Sequence, residues 1–240
     1  MKLNFLGTAS IPTASRNSQS TLLSFHDRSA VLIDCGEGTQ RQLLITGIDL
    51  TGLDTIFLTH EHIDHTLGLP GVVMMLYHLH HNKIRIYGPE SAINLARECI
   101  RLFVTFIDDP AEYIVLKENQ ILQIDQYTLK TFPTYHTEDS TGYTFTSAGK
   151  SVTFFGDVEI RHPQQIKKLT GQVSSSTCCV VDAVHLNLFQ VEDICQSKEL
   201  KTVFLLPTRY DTCESEIKAA FSKNYESELI LPNDFDSYEI

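Results

Sequence analysis

The chain has 240 residues, 42% of them hydrophobic, and a formal net charge of -11. That length is enough to bury a substantial core, and one domain spanning residues 1–240 is expected. The acidic balance excludes a broad basic surface for wrapping nucleic acid unless charge is strongly segregated, and no segment approaches the roughly 18 uninterrupted apolar residues of a membrane span.

The N-terminus "MKLNFLGTAS" lacks the apolar core of a secretory signal, so a soluble, cytoplasmic protein without a membrane partner is expected. Six cysteines, Cys35, Cys99, Cys178, Cys179, Cys195 and Cys213, show no C-x-x-C spacing, and most lie in apolar runs such as "STCCVVDAV". They read as reduced, buried thiols.

In chain order, "KLNFLG", "STLLSF" and "SAVLIDCG" are expected strands, followed by a helix "TQRQLLITG" ending at glycine. "DTIFLTH" is a strand that delivers a histidine cluster. A helix from about Leu69 through "VVMMLYHLH", a strand "KIRIYGP" and a helix "ESAINLARECIRLF" capped by Ser91 come next. From "EYIVLK" through "ILQIDQYTLKTFPTYH", "GYTFTSAG" and "SVTFFGD" the pattern is strand and hairpin, with "AGKS" as a turn. The tail alternates helix "HPQQIKKL", strand "TCCVVDAVH", helix "QVEDICQSKEL", strand "TVFLLP", helix "CESEIKAAFSK" and strand "ELILP". Strands in two sets with helices outside imply a layered α/β sandwich.

The stretch "FLTHEHIDHTLGLPG", residues 57–71, places three histidines and an aspartate close together. His60 and His62 stand two apart at the end of an extended segment, so their side chains share a face and can meet one ion. Asp64 and His65, adjacent in sequence, do not share that direction and can address a second ion nearby. Neutral imidazoles with carboxylates suit zinc, and manganese or iron where oxygen ligands are added. A surface loop rich in histidine by chance is the bland alternative; a buried-looking strand before the cluster and the "GLPG" helix entry after it weigh against that. His78, His80 and His81 fall at a helix end, where solvated histidines are ordinary, and stay outside the site. His136, ending "LKTFPTYH", and Asp157, ending "VTFFGD", are polar residues at strand C-termini, where sheets open into a crevice. A satisfied structural histidine and a plain Gly-Asp turn are the alternatives for each taken alone.

"FLGTASIPTASRNSQSTLL", "LIDCGEGTQRQLL", "THEHIDHTLGLPG" and "IYGPES" resemble, in order and spacing, the N-terminal half of tRNase Z (ribonuclease Z), within the metallo-β-lactamase superfamily. "HTEDSTGYTF" resembles its next histidine motif and "FFGDVEI" its aspartate motif. The resemblance implies a four-layer αββα sandwich with a dinuclear zinc site. It places His60, His62 and His136 on the first metal, Asp64 and His65 on the second, and Asp157 between them. Asp34, in "DCGEG", corresponds to an aspartate that supports the ligands and fixes imidazole tautomers. The implied chemistry is attack on phosphorus by a water activated between two cations, which also neutralise the phosphate oxygens, with Asp64 orienting the water. Relatives of this kind are often homodimers, so the resemblance makes a homodimer an expectation that nothing in this sequence's own surface supplies.

Three departures stand out. The family's long arm between "GY" and "GD", which grips the tRNA elbow, is replaced here by a bare hairpin over residues 142–157. Pro207, in "VFLLPTRYD", falls where the family's last ligand histidine is expected, so the second ion is expected to be held more weakly or differently. The histidine that protonates the family's leaving group aligns with Val181; His185, three residues beyond Asp182, is a candidate ligand or acid, with a core or surface histidine as the other reading. In "TRY", residues 208–210, Arg209 is a candidate bidentate clamp on a phosphate oxygen, with a structural salt bridge as the alternative.

The leading expectation is a zinc-dependent phosphodiesterase of ribonuclease Z type, acting on small or exposed phosphodiesters, RNA among them. The superfamily also hydrolyses thioesters, lactones and sulfate esters, and a fold does not choose among these bonds. A degenerate, non-catalytic paralogue with an incomplete second metal site is the third reading.

Overall fold

The computed structural model describes residues 1–80, 82–206, 217 and 227–240, which form two compact units: Met1–Leu116 with Asn233–Glu239, and Lys117–Pro232 with Ile240. Each is built on one seven-stranded mixed sheet.

The first unit opens with β1 (Lys2–Gly7), β2 (Ser20–Ser24), β3 (Ala30–Ile33), α1 (Thr39–Thr46) and β4 (Leu53–Phe57). It continues with α2 (Ile63–Thr66), α3 (Leu69–His80), β5 (Ile84–Gly88), α4 (Glu90–Phe103) and β6 (Ala111–Val115). β1 to β3 run antiparallel and β3 to β6 parallel. The parallel strand β3, "AVLI", is buried throughout, as a strand covered on both faces should be. Leu32, Ile56 and Ile86 of the sheet form one core cluster with α3 residues Leu69, Val72, Val73 and Leu76 and α4 residues Ala92, Ile93, Ala96 and Ile100. The α3 spacing of three, one and three residues is the single apolar stripe of a 3.6-residue period.

The second unit holds β7 (Ile121–Ile124), β8 (Tyr127–Pro133), β9 (Thr141–Ser147), β10 (Lys150–Asp157), α5 (Pro163–Val173), β11 (Cys178–Asp182), α6 (Leu188–Ile194), β12 (Thr202–Leu206) and β13 (Glu228–Ile230). β7 to β10 form an antiparallel meander and β10 to β13 a parallel run. Leu169, Val173, Val191 and Ile194 of the helices pack on Phe155, Cys179, Val181, Val203 and Leu205 of the strands. The β9–β10 hairpin closes through Ala148 (φ 51) and Gly149 (φ 76), two left-handed residues in succession. That is the two-residue turn whose twist suits a hairpin, and no arm is inserted there.

Four expectations need correction. Ser91 does not cap α4: Pro89 holds the N-cap position, and the Ser91 hydroxyl donates to Glu61 Oε2 at 3.0 Å. The helix expected over "QVEDICQSKEL" starts earlier and ends at Ile194, because Asn187 caps it by accepting from Gln190 N at 3.0 Å. His136 lies beyond the end of β8 in a bent segment, not at a strand terminus. A further strand, β14 (Ser237–Glu239), pairs with β1 at the edge of the first sheet and carried no recognisable pattern. The expected helix over 213–223 lies outside the described residues apart from Ile217, which is buried. Cys213, Pro207, Arg209, Tyr210 and His81 lie outside them as well.

Candidate metal centre

In the first unit the site grows from two loops that follow neighbouring parallel strands. Asp34 directly follows β3 and adopts φ 56, a left-handed conformation that aspartate tolerates better than most residues. Its amide donates to Phe57 O at 2.8 Å, which ties it to the end of β4. Its buried carboxylate accepts from Thr59 N at 2.8 Å and Thr59 Oγ1 at 2.9 Å. It also accepts from His65 Nδ1 at 2.8 Å. A carboxylate can only accept, so the proton sits on Nδ1 of His65 and the Nε2 lone pair is left to bind.

The two loops interlock through missing side chains. A Cβ on Gly36 would stand 2.2 Å from Asp64 O, and one on Gly68 would stand 2.1 Å from Gly36 O. Cys35 N donates to His65 O at 2.7 Å, and Gly68 N donates to Cys35 O at 2.9 Å. The single turn α2, absent from the expected elements, thereby fixes Asp64 and His65 against "DCGEG".

The rings follow from this frame. His60 is buried, and its ring centroid lies 4.6 Å from that of His62 and 4.2 Å from that of His65. His60 and His62 offer ring nitrogens within 4.8 Å of each other. Thr59 Oγ1 also reaches His60 Nδ1 at 3.1 Å, so Asp34 is linked to His60 through Thr59 and to His65 directly. Asp64 Oδ2 stands 3.4 Å from His65 Nε2.

In the second unit, Asp157 ends β10, His136 lies beyond β8, and His185 follows β11 in a short turn. Asp182 makes that turn by accepting from Val184 N at 2.8 Å. Asp157 Oδ2 is 3.4 Å from His136 Nε2 and 3.4 Å from His185 Nε2, and the two imidazoles stack at 4.5 Å with planes 27° apart. His185 is thus brought to His136 and Asp157. Nearby Glu159 has its carboxyl held below the usual range, chiefly by a hydrogen bond from Arg161, with smaller help from Arg161's charge and from His136 and His185.

These separations test the fit to a metal. A tetrahedral ion with bonds of about 2.0–2.1 Å has ligand atoms about 3.4 Å apart along each edge. The pairs Asp64–His65, Asp157–His136 and Asp157–His185 all stand at 3.4 Å, too long for good hydrogen bonds and right for shared coordination. The residues present fit a metal ion held by imidazole and carboxylate donors.

The remaining histidines of the α3 end are structural: His78 Nδ1 pairs with Met74 O at 2.8 Å and His80 Nε2 with Leu53 O at 2.7 Å. Thr59, Asp182 and Ser140 were not singled out as supports from the sequence. The hydroxyl residue directly before "HEH" is the signal for the first; the other two carry none without their partners.

Comparison with solved structures fixes the class. The metallo-β-lactamase fold protein YhfI from Bacillus subtilis matches 99% of this chain and 98% of its own, with a TM-score of 0.82 at 15% identity. The short form of human tRNase Z matches 100% of this chain and 99% of its own, with a TM-score of 0.74 at 20% identity. The chain has the metallo-β-lactamase fold, as the resemblance implied. Residues 1–210 match the family described as anti-Pycsar protein Apyc1, and the chain belongs to that family. It is also 37% identical over 156 residues to a ribonuclease Z of Bradyrhizobium diazoefficiens, a match covering 62% of this chain and 50% of that one. The chain spans about half the length of the curated relatives it matches.

Proposed function

We propose that residues 1–240 act as a single metal-dependent hydrolase domain that cleaves small phosphodiesters with ribonuclease Z-type chemistry in the cytoplasm, as a homodimer. The observation that carries this reading is the repeated 3.4 Å spacing of carboxylate and imidazole donors on Asp64, His65, His136, Asp157 and His185. Following the family pattern, His60, His62 and His136 would hold one ion and Asp64 and His65 a second, with Asp157 serving both. His185 would stand in for the ligand missing at Pro207. The bound ions, zinc or else manganese or iron, would acidify water and neutralise the phosphate oxygens.

The chain's own residues do the rest. Asp34 keeps the proton of His65 on Nδ1, Asp64 orients the attacking water, His185 serves as ligand or leaving-group acid, and Arg209 clamps a phosphate oxygen. The two-residue turn between β9 and β10 supports a small substrate over a folded RNA, because nothing there reaches beyond the sheet to grip one. The family's name adds that the chain acts against Pycsar, and we carry this over as part of the proposal.

The test is turnover by metal-loaded protein of bis(p-nitrophenyl) phosphate, a 3′,5′-cyclic nucleotide, a short RNA and a pre-tRNA, beside a thioester and an aryl sulfate. Diester cleavage that favours the small substrates, and is abolished by His62→Ala, is expected. Clear thioesterase activity without diester cleavage overturns the reading.

A further inference from the structure

We infer that Ser140 is a positioning residue for His136, and that its hydroxyl sets how tightly the second unit's imidazole and carboxylate donors hold metal. The inference rests on the proposed ligand role of His136. The segment 134–140 links β8 to β9, and Thr134 N donates to Ser140 O at 3.0 Å to close it. Inside the loop, Ser140 Oγ accepts from His136 N at 2.9 Å, from Thr137 N at 3.1 Å and from Thr134 Oγ1 at 3.1 Å. Its own proton faces Thr137 O at 3.4 Å, a weak contact that adds little to the three it accepts. Ser140 is 2% exposed, so water does not compete for these contacts.

Two features make this grip necessary. Tyr135, next to His136, is held at φ 65, where a bulky side chain is strained and stays only if its surroundings fix it. Against the loop lies a cavity of about 190 Å³ whose walls include Glu118, Tyr135, Thr137, Ser140, Arg161 and Gln165. That face of the loop is therefore not backed by a close-packed apolar layer, and a hydrogen-bonded hub takes its place. Arg161 Nη2 reaches His136 O only at 3.4 Å and is engaged with Glu159 at 2.8 Å. With the His136 amide fixed by Ser140, the imidazole stands at its 3.4 Å separation from Asp157. Without the hydroxyl, two amides lose their acceptor and the loop relaxes around Tyr135.

The experiment titrates cobalt(II) into the full chain, read by visible absorption, with thermal melting in parallel, for wild type, Ser140→Ala, Ser140→Thr and His136→Ala. Ser140→Ala is expected to stay folded at room temperature and weaken cobalt binding about 10- to 100-fold, the usual effect of removing a residue that orients a ligand. Ser140→Thr, which keeps the oxygen, is expected to return binding towards wild type. Should Ser140→Ala fail to fold, Ser140→Cys, a weaker acceptor, is read in its place and is expected to give an intermediate loss. Wild-type cobalt affinity in the folded Ser140 variant, with loss in His136→Ala, overturns the inference and leaves the metal site standing. Wild-type affinity in His136→Ala overturns the metal site and the inference with it.

Discussion

Replacing Asp34 separates two jobs that one carboxylate performs. In Asp34→Asn the shape and the tolerance of φ 56 survive. The amide oxygen can still accept from Thr59 N, now at 2.8 Å, but its NH2 group then faces His65 Nδ1, also 2.8 Å away. Two donors cannot share that contact, so His65 must shift its proton to Nε2, the atom proposed to bind metal. Metal affinity at the Asp64–His65 pair should fall about 10- to 100-fold with little change in folding. In Asp34→Ala the amide of Thr59 and the ring N–H of His65 both lose their acceptor in a buried setting, at about 1–3 kcal/mol each. Alanine at a left-handed position adds about 1–2 kcal/mol. The sum, about 3–8 kcal/mol, is a large part of the 5–15 kcal/mol typical of a folded protein and corresponds to a melting-temperature drop of at least about 6 °C. Isothermal titration with zinc and differential scanning calorimetry on both variants measure the two effects. Wild-type zinc affinity in Asp34→Asn would refute the tautomer role, and an unchanged melting temperature in Asp34→Ala would refute the structural one.

Other expected outcomes follow from the same geometry. Gly36→Ala sets a Cβ 2.2 Å from Asp64 O and 2.5 Å from Ser18 Cβ, so it should lower both the melting temperature and zinc uptake; an unchanged zinc stoichiometry would show that the loop contact does not place Asp64. His185→Ala should reduce bound zinc or its affinity, measured by equilibrium dialysis, whereas an unchanged stoichiometry and rate would return His185 to the surface. Burial pushes the Cys178 thiol up to about 12 and the Cys35 and Cys179 thiols up as well. Above about pH 8.5 the unfolded chain loses these protons while the folded chain keeps them, so stability should fall as pH rises past that point. Urea melts across this range check the sign, and rapid alkylation of Cys35 or Cys179 in the native protein would contradict their burial.

The legible parts of the site were the local ones. "THEHIDH" carries its ligands within six residues, and burial of the strand before it is visible in the sequence itself. His136 and Asp157 were placed through a resemblance, because no local spacing relates them, and Asp34 likewise depends on Thr59 and His65, 25 and 31 residues along. The role of Ser140 is set by four contacts within its loop that no periodicity announces. β14 escaped because three residues cannot display a period; Phe235 N to Phe5 O at 2.7 Å and Phe5 N to Asp236 O at 2.9 Å place it. The sequence position of Ser91 suggests a cap, but the helix begins at Glu90 with Pro89 in the N-cap position, so Ser91 lies inside the first turn and its hydroxyl donates to Glu61 instead. Local chemistry offers options, and tertiary partners choose among them.

The central claim is a two-ion hydrolytic centre, and anomalous scattering at the zinc edge from crystals of the zinc-loaded protein tests it most directly. Two peaks are expected, one bonded to Asp64 and His65 and one to His60, His62 and His136, with Asp157 bonded to both and His185 among the ligands. No peak at these residues after zinc loading, or peaks only at surface histidines such as His78, would contradict it.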